Sequence, residues 1–169
     1  MRSIFQMFAG YNDWANARLY AAATELPDAD YRADHGAFFK SVHGTLNHLL
    51  VGDRIWMQRL TGEGDAPTSL DAILCDDLKS LRAARAEEDA RIIAFVAGLS
   101  DADLARKVRY RTISRPAEIE QELGYALPHV FNHQTHHRGQ VHGLLTRITG
   151  DAPSLDLILY QRETGIGLS

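Results

Sequence analysis

The sequence predicts an all-α, four-helix-bundle domain. Three observations carry this. Four long segments place apolar residues at three- and four-residue steps, most connections between them are short, and no internal repeat or low-complexity tract interrupts them. The 169 residues suffice for one domain over 1–169 with a substantial core, and hydrophobic and charged fractions of 45% and 24% are those of a globular protein in water.

The first helix is expected from about Ile4 to Leu26, where Ile4, Phe5, Phe8, Tyr11, Trp14, Ala15, Leu19 and Ala22 fall at three- and four-residue steps and "LPDAD" stops it. The second, about Phe38 to Leu60, carries Phe38, Val42, Leu49, Trp56 and Leu60 before the breaker "TGEGDAP". The third, about Leu70 to Leu99, has Leu74, Leu78, Leu81, Ile92, Ile93 and Val96 among many alanines and charges. The fourth, about Glu120 to Thr149, stops at "TGDAP", and a short helix is expected in "PSLDLILYQRE". Between the third and fourth helices, Lys107, Arg109 and Arg111 alternate with Val108, Tyr110 and Thr112. That is the period of a strand with one wet face, able to form half of a small β-hairpin. Its basic side chains either attract an anion or keep an exposed edge soluble, the commoner role.

Composition excludes several functions. A formal net charge of −4 argues against nonspecific nucleic-acid binding, and no reading helix has the basic surface of a DNA-binding motif. The single cysteine, Cys75, rules out an internal disulfide and any multi-cysteine zinc site. It is expected on an apolar helix face as a small hydrophobe rather than a reactive thiol. No run approaches the ~20 apolar residues of a membrane span, and the apolar run after Met1 is too short for a signal peptide. A cytoplasmic protein without membrane partner is expected.

Chemistry concentrates in the fourth helix. "HVFNHQTHHRGQVHG", His129 to Gly143, holds five of the eight histidines. A helix advances about 100° per residue. With His133 at zero, His137 falls at about 40°, Gln140 at about −20° and His129 at about −40°, beside the apolar stripe of Val130, Val141, Leu144 and Ile148. His136 falls near −60° and His142 about opposite. Two imidazoles four residues apart converge readily on one ion, and imidazole suits zinc, nickel, copper or iron alike. The plainer alternative is histidines hydrogen-bonded within the bundle. A metal also needs a ligand from another helix. The second helix offers His43 and His48, on opposite edges of its apolar face, and periodicity does not choose between them; Gly52, four residues after His48, leaves room beside it. No Glu-x-x-His pair is present, which disfavours a di-iron centre, and the clustered pair suits one ion better than haem ligation from opposite sides.

Taken together, "YNDWANARLY", "GTLNHLLVGDRIW" and "HVFNHQTHHRGQV" resemble the DinB family, damage-inducible metalloproteins related to YfiT-like hydrolases and thiol-dependent S-transferases and distinct from the DNA polymerase of that name. The late "PSLDLILYQRE" extends the resemblance to nearly the whole chain. It implies a four-helix bundle with an unusual connection order and a divalent metal, zinc or nickel first and iron or manganese next, held by His48, His133 and His137. His129 matches a position often histidine and is a candidate to support a metal ligand from behind or to replace one; Gln140 and Asp53 are candidates to orient a ligand, although a buried carboxylate more commonly pairs with an arginine. His136 and Arg138 are expected at the rim, and Asn12, Trp14 and Asn16 in packing and helix contacts. Three protein ligands leave an open metal position, the pattern of catalytic sites, where water or a thiol becomes a nucleophile. The resemblance thus implies an enzyme acting on a small electrophile by thiol transfer, with a low-molecular-weight thiol cosubstrate, or by hydrolysis. The alternative is a non-catalytic, metal-stabilised stress-response or interaction protein. A homodimer is expected because the family often pairs helices across a two-fold axis.

Overall fold

The computed structural model describes residues 1–114 and 116–168. The order is α1 (Arg2–Thr24), α2 (Asp28–Arg32), α3 (Val42–Thr61), α4 (Leu78–Gly98), α5 (Asp101–Leu104), β1 (Lys107–Arg111), β2 (Glu118–Glu122), α6 (Leu123–Thr149) and α7 (Leu157–Thr164). Four long helices and a two-stranded antiparallel sheet are what the periodicities predict, with Tyr110 opposite Ile119 and Arg109 opposite Glu120.

The principal packing contacts close a ring in the order α1, α4, α3, α6. The successive long helices α1 and α3 therefore lie diagonally, as do α4 and α6, and only α3 and α4 are both consecutive and adjacent. The segments before α3 and after α4 each contain a short helix, and the second also the hairpin, which gives the chain enough length to cross the bundle end.

Several boundaries differ from the sequence reading. The second long helix starts at Val42 rather than Phe38, because the Ser41 hydroxyl caps it by accepting the Gly44 amide at 3.0 Å. Phe38 is left 83% exposed instead of on the apolar face. The third starts at Leu78 rather than Leu70, capped by Asp77, whose carboxylate accepts the Ser80 amide at 2.8 Å. Residues 70–77 are loop, pinned to α3 by Asn47: its Oδ1 accepts the amides of Leu74 and Cys75 at 2.8 and 3.0 Å, and its amide donates to Cys75 O at 3.2 Å. Cys75 is thus a partly buried loop residue, not a helical one, and burial pushes its thiol up, in keeping with an unreactive side chain. Glu120 belongs to β2, not to the fourth helix.

The core is layered. One apolar cluster gathers Phe5, Trp56, Leu60, Ile92, Leu127 and Phe131; another gathers Leu19, Leu46, Leu49, Leu81, Val141 and Leu145. On all four long helices a buried polar layer lies between them in sequence: Asn12 and Asn16, Asp53, Arg85 and Asp89, Gln134 and Arg138. Arg85 lies 2.8 Å from Asp53 Oδ2 and 2.9 Å from Asp89 Oδ1, and Asn12 and Asn16 donate to Asp89. Arg138 is 2% exposed and donates to both asparagines. Its place in this layer corrects the expectation of a rim residue. Burying two guanidinium groups is tolerated because each faces fixed polar partners.

At the C-terminal end, α7 returns to α1. Tyr160 packs edge-on against Tyr11, the Trp14 indole donates to Glu163 at 2.8 Å, and Tyr11 donates to Leu155 O at 2.6 Å. Trp14 and the two asparagines therefore have the packing roles expected of them.

Candidate metal centre

His48 on α3 and His133 and His137 on α6 converge. Their ligating nitrogens all lie within 4.8 Å of one another. His48 Nε2 is 3.1 Å from His133 Nε2 and 3.2 Å from His137 Nε2. Two nitrogens held ~2.0–2.1 Å from one tetrahedral ion would stand about 3.3–3.4 Å apart, so the spacing suits a shared cation.

The outer ring nitrogens decide what these inner atoms are. His48 Nδ1 lies 2.7 Å from Leu70 O, and a carbonyl only accepts, so Nδ1 carries the hydrogen. His137 Nδ1 likewise donates to Gln140 Oε1 at 2.8 Å, while the Gln140 amide meets His136 Nε2 at 3.2 Å. In neutral His48 and His137 both Nε2 atoms are therefore bare lone pairs, pointed at each other. Burial keeps the rings neutral: it holds His48 at about 4 and His133 at about 3, and His137 below the usual imidazole value, with the neighbouring histidines opposing protonation further. His133 Nδ1 is buried without a hydrogen-bond partner among the described residues. Its Nε2 hydrogen can satisfy one facing lone pair at most, whereas one cation satisfies all three. The donor set thus fits a divalent ion: three neutral imidazoles, two of them oriented by a second hydrogen bond.

Local sequence explains the convergence. A Cβ on Gly52 would stand 2.7 Å from His133 Cε1, so glycine there admits the His133 ring, across from α3 rather than beside His48. Phe39 stacks on the His48 ring with centroids 3.8 Å apart and meets His137 edge-on at 5.6 Å. On Gly44 a Cβ would collide with the Phe39 carbonyl, so that glycine seats the Phe39 loop.

The remaining candidates separate. His43 is buried against Tyr31, with Nδ1 3.2 Å from the Tyr31 hydroxyl, away from the cluster. His129 is exposed; its ring lies 5.9 Å from that of His133 and 4.9 Å from Trp56, and it is not among the three converging residues. Gln140 orients His137 directly. Asp53 pairs with Arg85 in the polar layer, the alternative reading of a buried carboxylate, and is not among the three converging residues. His136 is exposed at the edge, its ring 4.8 Å from that of His137. Two contributors escaped the sequence reading. The Leu70 carbonyl carries no side-chain signal, and Phe39 was assigned to a helix that begins three residues later.

A cleft opens beside His48 and His133, with a cavity volume of about 380 Å³, and shares Ile55, Arg59, Tyr110, Thr112 and Ile113 with an adjoining cavity of about 620 Å³. Among the described residues, no helix is long and apolar enough to cross a membrane.

The chain is 26% identical over 159 residues to Protein DinB of Bacillus subtilis (strain 168), with 89% of each chain covered. The DinB family model matches residues 1–166, essentially the whole bundle and its histidine cluster, and the chain belongs to the DinB family.

Proposed function

We propose that this chain binds a divalent metal through Nε2 of His48, His133 and His137 and is an enzyme acting on a small electrophile, by thiol transfer or by hydrolysis. The observation that carries the reading is the pair of bare Nε2 atoms on His48 and His137, committed by their outer hydrogen bonds to Leu70 O and Gln140 and facing a third buried imidazole. Zinc or nickel comes first and iron or manganese next on the family resemblance, since imidazole by itself suits zinc, nickel, copper or iron alike.

A bound ion with three protein ligands supplies Lewis acidity for a water or a thiol. The chain's own residues supply the rest. Leu70 O and Gln140 fix the rings of His48 and His137, Phe39 covers one face of His48, and the cleft at His48 and His133 admits substrate from one side. His129, at the cleft wall near Arg59, is held below the usual imidazole value by partial burial and by that charge, and is suited to take a proton from an incoming nucleophile. A cytoplasmic homodimer using a low-molecular-weight thiol cosubstrate belongs to the same proposal, supported by family membership.

Metal titration by calorimetry tests the centre. One ion per chain is expected in the wild type, and lost or strongly weakened binding in His48→Ala and His137→Ala, with chelation lowering the melting temperature of the wild type alone. Near-wild-type stoichiometry in both variants would reject the site.

A further inference from the structure

The cleft beside the histidines is electrostatically one-sided. Although the chain carries a net charge of −4, the described residues lining the two joined cavities include no aspartate or glutamate and three arginines, Arg59, Arg109 and Arg111. The three are not equivalent. Arg109 is neutralised by Glu120 at 2.5 Å, and Arg111 stands opposite Glu118 in the hairpin. Arg59 differs from both.

Its guanidinium packs against the edge-to-face pair of Trp56 and Tyr110, 4.9 and 4.7 Å from their ring centroids, and one amino group donates to Arg111 O at 2.9 Å. Among the described residues no carboxylate lies within ion-pair distance of it. Burial depresses its pKa, the mark of a cation that has lost water without gaining a counter-charge. A fixed, stacked, partly desolvated guanidinium with spare donors is a site for a planar, bidentate anion, and a carboxylate matches its fork. Ile55, Trp56, Tyr110 and Ile113 make the surrounding wall apolar. The same cavity reaches His48 and His133.

We propose that the cleft binds a small organic carboxylate with an apolar body, its carboxylate on Arg59 and the rest of the molecule extended toward the histidine centre. This rests on the reading of that centre as the reactive site and assigns the substrate class. The apolar wall places the carboxylate on the electrophilic substrate rather than on a polar thiol cosubstrate. Arg59 is then the specificity-determining residue, and the sequence's alternating basic strand contributes its Tyr110 face more than its charges.

The test uses the full chain carrying Trp14→Phe, so that Trp56 alone reports by fluorescence. 3-Phenylpropionate is titrated against its amide, 3-phenylpropionamide, and against mercaptoacetate, with and without metal. Chelated protein is expected to bind 3-phenylpropionate, which separates carboxylate on Arg59 from carboxylate on an ion. The amide should bind at least about tenfold more weakly. Arg59→Gln should weaken the acid about tenfold and leave the amide unchanged, with Arg59→Lys between; melting temperatures confirm that each variant is folded. Equal binding of acid and amide, or an unchanged acid affinity in Arg59→Gln, overturns the carboxylate site. Arg59-dependent binding of mercaptoacetate but not of 3-phenylpropionate overturns the substrate assignment. Carboxylate binding that persists when no metal binds anywhere leaves this site standing and removes the metal reading instead.

Discussion

Two buried polar regions lie side by side in this bundle, and they are satisfied in opposite ways. In the mid-bundle layer, Arg85 stands between Asp53 and Asp89 and Asn12, Asn16 and Arg138 add further donors and acceptors, so that opposite charges meet even though Asp53 Oδ1 and Arg138 Nε make no hydrogen bond among the described residues. In the histidine centre, acceptors meet acceptors: lone pairs of His48 and His137 converge at 3.2 Å, and among the described residues His133 Nδ1 has no hydrogen-bond partner. Burial alone does not distinguish function from architecture here, since the layer is the more deeply buried of the two. Complementarity does. A polar cluster whose opposite charges pair holds helices together, whereas one in which lone pairs converge has the donor set of a cation site.

The sharpest way to break the comparison is to remove the charge that closes the layer. Arg85→Ala leaves Asp53 and Asp89 buried without a counter-ion, with Asp53 already pushed up to about 6, chiefly by burial. The expected loss is about 3–5 kcal/mol of unfolding free energy, read by denaturant titration. Metal stoichiometry of the fraction still folded should be unchanged, because no layer residue ligates. A loss under about 1 kcal/mol would show that the layer is not the structural element described here.

Next in size is a pH effect specific to the histidine centre. His48 is held at about 4 against an ordinary 6.5, so the unfolded chain takes up a proton that the native ring refuses. Stability attached to neutral His48 is fully present above pH 6.5 and is lost as pH falls toward 4. In chelated protein, the stability difference between wild type and His48→Gln should therefore shrink from pH 7 to pH 4, by about 3 kcal/mol at most. Asp53 titrates in the same range with opposite sign, but it is common to both proteins and cancels. A difference that is flat or grows on acidification contradicts a buried neutral ring.

The same contrast explains what could be read from the sequence. Helical period gave the four long helices, and angle placed His133 and His137 by the core stripe, because both signals are local. His48 needed the resemblance, since His43 and His48 flank the apolar face symmetrically. Arg138 was misplaced at the rim because charge usually marks a surface, and its partners Asn12 and Asn16 lie more than 120 residues away. The boundaries of α3 and α4 failed for a related reason. Asp77 is a local cap signal, but the apolar residues before it continued the helical period, and the restraint that pulls 70–77 off the helix comes from Asn47. Short-range pattern survives in sequence; long-range satisfaction of polar groups does not.

The smallest effect sharpens the comparison most, because it separates orientation from stability. Gln140 is half-buried, accepts the His137 Nδ1 hydrogen at 2.8 Å and, among the described residues, otherwise hydrogen-bonds through its side chain only to His136. Gln140→Ala removes no core contact and leaves His137 Nδ1 able to reach water, so unfolding free energy of the chelated protein should move by no more than about 0.5 kcal/mol. Metal affinity should nevertheless fall about tenfold or more, because the freed ring can rotate or change tautomer and turn its bare Nε2 away from the other two. Gln140→Glu should recover the loss, as a carboxylate accepts the same hydrogen. Calorimetric titration of the three proteins reads the affinities, and equal affinities would mean that Phe39 and the helix backbone alone hold His137, leaving the outer hydrogen bond without a function. A fall in stability as large as the fall in affinity would place Gln140 among the architectural residues, on the layer's side of the comparison.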